Sequence, residues 1–416
     1  MNVFERLESN VRAYCRTYPA VFHKALNARQ WDEDGNEFID FFAGAGVLNY
    51  GHNNERQRDA IIEYMQANGV THSLDLHTTA KRSFMQRFED IILKPRKLEY
   101  KLQFTGPTGT NVVEAALKLA RKVTGRSNVA AFTGGFHGMT LGALAVTGNA
   151  HYRNVSGVSL NDVLRLPFDG YSGAGVDSIE MVRQTLADSS SGVEAPAAFL
   201  VETVQAEGGV NVASKAWLQA LQALAKEYGA LFIIYDIQVG NGRTGDFFSW
   251  EDMGLDPDLV CLAKGIGGFG TPMGLLLIRP DLDQWSPGDH TGTFRGQNLS
   301  FVAGSEALAY YESDSFLKSV QEKGRYMEDR LNNMVANHKK LDFEVRGRGM
   351  MQGLDTHSPA VAKKIMAAAA KHRVIVGACG TDGRVIKVCP PLTIEQETLE
   401  RGMDLLEAAV NEGVTQ

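Results

Sequence analysis

The chain has 416 residues, of which 44% are hydrophobic and 22% charged, and a formal net charge of -7. That length exceeds what one simple core organises and points to a large domain with a smaller one. The mild acidity argues against nucleic acid or an anionic membrane as the main partner. Four cysteines, Cys15, Cys261, Cys379 and Cys389, lie far apart with no C-x-x-C pair, as in a protein kept reduced. The opening MNVFERLESNVRAYCRTYP is charged throughout, and no later run is long and apolar enough to span a bilayer, so a cytoplasmic protein is expected.

In chain order, the first elements are a strand pair around Trp31 and Phe38–Phe42, turned by Asp34-Gly35-Asn36. From about residue 55 to 300, helical periodicity alternates with short apolar runs. Val112, Val113, Ala116, Leu117 and Ala120 form one helical face. Strands are expected at 128–132 and 197–201. A helical stripe of Trp217, Leu218, Leu221, Leu224 and Tyr228 then stops at Gly229. Further strands follow at 231–234, 259–262 and 275–278. Such βαβ alternation predicts an α/β fold, a mostly parallel sheet covered by helices on both faces. After about 310, long helices and a few strands such as 385–388 suggest an α+β unit. The expected division is 1–55, 56–310 and 311–416, with the two chain ends forming the smaller domain.

Ligands of open α/β sheets sit beyond the carboxyl ends of the strands. There the sequence places Glu202, Gln205 and Glu207, then Tyr235, Asp236 and Gln238, then Lys264 and the loop Gly265–Gly270. A lysine in a partly desolvated site gives up its proton more easily, and the free amine forms a Schiff base with a carbonyl. A second cluster, TGPTGTNVVEAALKLARKVTGR from Thr105, runs a Gly/Thr loop into an amphipathic helix. The helix N-terminus favours an anion such as phosphate, although an ordinary cap at Thr108 or Thr110 suits the same residues. No Gly-Lys-Ser/Thr follows, so the loop is not a Walker motif, and G-x-G-x-x-G is missing too. A third, AFTGGFHGMT, ends a strand in Phe136-His137-Gly138, where a flat ring could stack on Phe136. Phosphate site, lysine and aromatic platform together fit one cofactor, pyridoxal 5′-phosphate. No metal site is expected.

On these segments, and on IDFFAGAGVLNYGHNN, ILKPR, LPFDGY, PAAFLVETVQAEGGVNVA, DIQVGNGRTGDFFSWE and GTFRGQNLSF, the chain resembles the fold-type I, class III aminotransferases over nearly its whole length. Within them it is most similar to the L-2,4-diaminobutyrate:2-oxoglutarate aminotransferases of ectoine biosynthesis. The resemblance implies pyridoxal phosphate held on Lys264, which also moves protons. It implies the phosphate at the Thr108–Thr110 loop, bound by Gly109 and Thr110. Phe136 would lie on the ring with His137 beside it, and Gln238 near the phenolic oxygen. Thr293 would reach the phosphate of the other subunit, so a homodimer is implied, with pairing of dimers left open. Glu202 and Glu207 fall on the substrate side. Lys387 falls where many class III enzymes place a carboxylate-clamping arginine, and a lysine would act there as a point charge, not a fork. Small amino acids and oxo acids are the implied partners, with transfer of an amino group from glutamate to aspartate 4-semialdehyde as the implied reaction.

One position departs from the pattern. The family has an aspartate against the pyridine nitrogen where this chain has Tyr235. A phenol titrates near pH 10 and brings no charge to the ring, so the electron sink should be weaker. Asp236 cannot stand in, because successive strand side chains point to opposite faces. The loop KGIGGFGTPMG also differs from the family's KSLSGYGLP, and Asn241 stands where the most similar relatives often have cysteine. Three readings stay open: an aminotransferase with an atypical ring environment, a lyase, decarboxylase or racemase on a related amino acid, and a catalytically impaired pyridoxal phosphate-binding homologue.

Overall fold

A computed structural model describes residues 3–173 and 175–415. Its centre is a seven-stranded sheet built in spatial order from Lys101–Phe104, Leu275–Ile278, Leu259–Leu262, Leu231–Tyr235, Ala198–Val201, Val129–Phe132 and Val163–Leu166. The last five run parallel, and Leu275–Ile278 is antiparallel to both its neighbours. The four central strands are apolar at every position because both faces are covered.

Alternation sorts their side chains. Phe232 and Ile234 join Phe132, Phe199 and Val260 in one core, which the helix Lys215–Glu227 covers with Trp217, Leu218, Leu221 and Leu224. Leu231, Ile233 and Tyr235 join Ala131, Leu200 and Cys261 in the opposite core, under the helix Gly109–Thr124. Ser214 and Thr108 cap the two helices through their side chains, and Gly125 ends the second in a left-handed turn.

A further core gathers Ala28, Ile39 and Phe41 from the start of the chain with Leu331, Ile365, Val388 and Leu406 from its end. The bridge is explicit. Strand Glu37–Asp40 pairs in parallel with Val374–Ile375 and antiparallel with Arg29–Asp32, and Asp32 fixes the turn between Arg29–Asp32 and Glu37–Asp40 by accepting from the backbone of Asp34 and Asn36. A four-stranded sheet, Glu344–Arg348, Met351–Asp355, Val385–Val388 and Gly377–Cys379, lies beside the helices Ser315–Asn337, Pro359–Lys371 and Gln396–Thr415. Among the described residues, no helix is long and apolar enough to cross a membrane.

Candidate active site

Lys264 follows strand Leu259–Leu262 and opens a tight turn, Lys264–Gly267. Its backbone is left-handed, with φ 53°, a conformation that costs a residue with a Cβ about 1–2 kcal/mol. Strain of this kind gathers at functional sites. The amine donates to the carbonyl of Ala45 at 3.0 Å. Burial drives its pKa down to about 8, against the pull of Glu207 and with the help of Lys387. A sizeable share of free amine therefore exists just above neutral pH.

Ala45 lies in the kinked turn Ala43–Gly46, where Gly44 and Ala45 are both left-handed. Its carbonyl also accepts from Gln238 Nε2 at 2.8 Å, and the same nitrogen donates to Glu207 Oε1 at 3.0 Å. Glu207 is ion-paired with Lys387, which comes from strand Val385–Val388 and is fully buried. Burial alone would raise the Glu207 carboxyl, but Lys387 and Lys264 pull it down to about 2. Burial likewise opposes the charge on Lys387, and Glu207 more than restores it. Lys387 is thus no surface lysine. It is a charge kept in the interior by one partner.

The Gly/Thr loop runs directly into the helix Gly109–Thr124. Thr108 spends its hydroxyl as a helix cap, accepting from Asn111 N at 3.3 Å. That leaves the first-turn N–H groups of Gly109 and Thr110 without intrahelical partners. Thr110 Oγ1 lies 2.6 Å from Thr140 Oγ1. A Cβ on Gly109 would come 2.9 Å from Ile237 Cδ1, and one on Gly138 would collide with Thr110.

Beyond this loop the polar groups change character. His137 is buried, donates its backbone N–H to Thr147 Oγ1 at 3.0 Å, and leaves Nδ1 without a partner among the described residues. Burial, with Arg165 nearby, pushes its pKa down to about 3. The ring meets Tyr235 edge-on, with centroids 4.8 Å apart and planes at 77°. Glu202 Oε2 stands 3.9 Å from His137 Nε2, and burial raises that carboxyl well above its ordinary range. Tyr235 is raised as well, first by burial and then by Glu202. Asp236 turns to the other face, as alternation requires, and accepts from Ser249 N at 3.1 Å.

Other expected residues sit apart. Thr293 is exposed on the loop before helix Asn298–Leu308, and its carbonyl accepts from His72. Among the described residues no hydrogen bond joins it to Lys264, so within one chain it is not part of this site. The Phe136 ring is half-buried, 5.3 Å from that of Tyr152. Three groups escaped the sequence reading. Tyr14 packs on Phe42 at 5.4 Å, Phe42 carries Lys387 Nζ at 5.6 Å from its centroid, and the Tyr14 phenol is raised by burial and by Glu207. Tyr18 anchors this segment by hydrogen bonds with both backbone groups of Val376. The third group is the Ala45 carbonyl, which no side-chain motif can announce.

A lysine amine of lowered pKa, a glycine-lined helix N-terminus and a half-buried aromatic ring therefore share one sheet edge. The aminotransferase class-III family model matches residues 12–410. The chain is a class III aminotransferase. It is 50% identical to the diaminobutyrate–2-oxoglutarate transaminase of Halalkalibacterium halodurans, over 99% of this chain and 96% of that protein. It is 52% identical to an uncharacterized aminotransferase of Sinorhizobium fredii, over 98% of this chain and 91% of that one. Among solved structures, the ornithine aminotransferase of Toxoplasma gondii superposes with a TM-score of 0.84 at 25% identity, covering 98% of this chain and 93% of that one. A transaminase from Virgibacillus shares the fold with a TM-score of 0.88 at 19% identity, covering 100% of this chain and 98% of that one.

Class III aminotransferases of this fold use pyridoxal 5′-phosphate, and the residues present fit it. The Gly109–Thr110 helix start suits the phosphate, since Thr108 is spent as the cap and the first-turn N–H groups stay free for an anion. The Lys264 amine has one carbonyl partner and a lowered pKa, which suits an aldehyde.

Proposed function

We propose that this aminotransferase moves an amino group from glutamate to the aldehyde carbon of aspartate 4-semialdehyde, giving 2-oxoglutarate and L-2,4-diaminobutyrate. The Glu207–Lys387 pair carries the reading. The end of diaminobutyrate that does not react holds an ammonium and a carboxylate. Glu207 and Lys387 offer the complementary charges side by side, next to the Lys264 amine. Glutamate needs only the cation, because its distal group is a carboxylate that Lys387 can meet once Glu207 yields. The names of the half-identical relatives agree with this choice.

Pyridoxal 5′-phosphate, when bound, supplies the aldehyde that accepts the amino group and the ring that draws electrons from the carbon bearing that group. The chain supplies the rest. Lys264 would hold the coenzyme's aldehyde carbon and would carry a proton to or from the reacting carbon of the substrate, the α-carbon of glutamate or C4 of diaminobutyrate. Gly109 and Thr110 anchor the phosphate, and Phe136 covers a ring face. Gln238 is tied to Ala45 and Glu207 and would serve the coenzyme's phenolic oxygen. Tyr14 and Phe42 wall the mouth above Lys387. Glu202, assigned to the substrate side, stands beside His137. Thr293, exposed on its loop, is assigned to the phosphate site of a second copy, so the working unit is a homodimer. Four unpaired cysteines suit a cytoplasmic setting.

The test is product analysis. Protein loaded with the coenzyme should convert aspartate 4-semialdehyde and ¹⁵N-glutamate into diaminobutyrate labelled only at its distal nitrogen. Tyr235, an uncharged group at the floor of the site, favours a second reading, elimination, decarboxylation or racemisation of a related amino acid. Loss of carbon dioxide, ammonia or stereochemistry without 2-oxoglutarate would select it.

A further inference from the structure

The site's deep wall holds three proton-bearing groups from three neighbouring strands. Glu202 follows Ala198–Val201, His137 follows Val129–Phe132, and Tyr235 ends Leu231–Tyr235. They lie in a row. Glu202 Oε2 is 3.9 Å from His137 Nε2, and the His137 ring is edge-on to Tyr235. Tyr235 shares its face of the sheet with Ala263, the residue before Lys264, and with Ile237, which fills the space beside Gly109. Its side chain thus lies under the cradle between the lysine and the phosphate loop. Among the described residues neither an ion pair nor a hydrogen bond engages the Tyr235 hydroxyl.

Pyridine geometry supplies the next step. The ring nitrogen of pyridoxal phosphate is para to the carbon bearing the aldehyde and meta to the carbon bearing the phosphate arm. With the aldehyde at Lys264 and the phosphate at Gly109–Thr110, the nitrogen would lie on the ring edge opposite the aldehyde, and Tyr235 is the polar side chain that packs with Ala263 and Ile237 on this face of the sheet. We propose, resting on the coenzyme reading above, that the Tyr235 phenol is the partner of the ring nitrogen and donates a hydrogen bond to it, so that the nitrogen stays unprotonated. His137 is the positioning residue that holds the phenol edge-on. A carboxylate at this place would hold a proton on the nitrogen, whereas a phenol delivers its own hydrogen and requires a bare lone pair. Asp236 offers no rescue, because its carboxylate is bonded to Ser249 on the opposite face.

The assignment separates this chain from a pyridinium-based aminotransferase in a measurable way. The experiment is ¹⁵N NMR of full-length protein loaded with coenzyme labelled at the ring nitrogen, between pH 6 and pH 9. The expected result is the resonance of an unprotonated pyridine nitrogen across that range. In Tyr235→Asp the resonance should move upfield to the protonated position. Tyr235→Phe should leave the nitrogen unprotonated but weaken coenzyme retention by roughly three- to tenfold, the worth of one hydrogen bond. A protonated nitrogen in the native protein overturns the proposal, whether or not the Asp variant folds. Unchanged retention in Tyr235→Phe overturns the hydrogen bond. A bound but protonated coenzyme leaves the proposed function standing. Failure of the labelled coenzyme to bind at all removes that reading and this inference together.

Discussion

The mouth and the floor of this active site bury similar numbers of titratable groups and solve the problem in opposite ways. At the mouth, Glu207 and Lys387 keep their charges by pairing, and burial loses to their attraction. At the floor, Glu202, His137 and Tyr235 have no charged partner within bonding distance, and burial shifts each toward its uncharged form. Lys264 lies between, near its own midpoint. The contrast shows that burial alone does not decide protonation in this pocket. The decision rests on whether the neighbour is an opposite charge or another desolvated neutral group. Under the proposed function this divides the labour: the charged pair would meet the substrate's distal end, and the uncharged groups would face the coenzyme ring.

The most severe way to break this arrangement is Lys264→Ala. It should lower transamination by about 10⁴-fold and abolish the Schiff-base absorbance, since the proton carrier and the anchoring amine go together. Absorbance and steady-state rates check it. Next comes Glu207→Ala, which leaves Lys387 buried without its partner. Urea unfolding should show a loss of about 3 kcal/mol, and Glu207→Gln with Lys387→Met in one chain should recover much of it. Equal losses in the single and double variants would mean that the pair is not the reason the charges survive.

The Lys264 midpoint sharpens the contrast from the middle. Its folded pKa of about 8 lies below the ordinary 10.5, so only the unfolded chain is fully protonated between those values. Stability therefore rises with pH across that window, and the free amine accumulates above about 8. Capture of pyridoxal phosphate by the apoprotein should accelerate through pH 8 and then level off, as stopped-flow absorbance will show. A midpoint above 10 would place Lys264 in water.

The smallest effect concerns the far face. Burial raises Asp236 from 3.8 to about 6, and its Oδ1 has no partner among the described residues. Because the folded pKa exceeds the unfolded one, this group's contribution to stability falls as pH rises from about 4 to 6. At neutral pH, Asp236→Asn should then stabilise the protein by about 1 kcal/mol, and the gain should vanish in acid. Thermal unfolding at two pH values measures it.

Much of this was legible in the residues. Apolar runs ending in Glu202, Tyr235 and Lys264 announced parallel strands feeding one edge, because a strand buried on both faces has little other composition. Alternation alone placed Asp236 opposite Tyr235. The structure extends the strand 231–234 by one residue, so Tyr235 is its last pleat and not the first of the loop. What stayed hidden arises from distant contacts. Nothing around Tyr14 or Phe42 signals that they meet Lys387, and nothing local marks Lys387 as buried. The Ala45 carbonyl gains its role from a left-handed turn that places it against Lys264 and Gln238. Thr293 shows the converse, since its proposed role requires a second copy and leaves no trace within one chain.

The central claim is that a site with Tyr235 in place of a charged ring partner still supports transfer of an amino group. Its most direct test is a single half-reaction with glutamate alone. Coenzyme-loaded protein is mixed with ¹⁵N-glutamate, and released 2-oxoglutarate and coenzyme-bound ¹⁵N are counted per site. The account predicts one 2-oxoglutarate per site, with the nitrogen retained on the coenzyme. Bound coenzyme with no 2-oxoglutarate, however long the incubation, would contradict it.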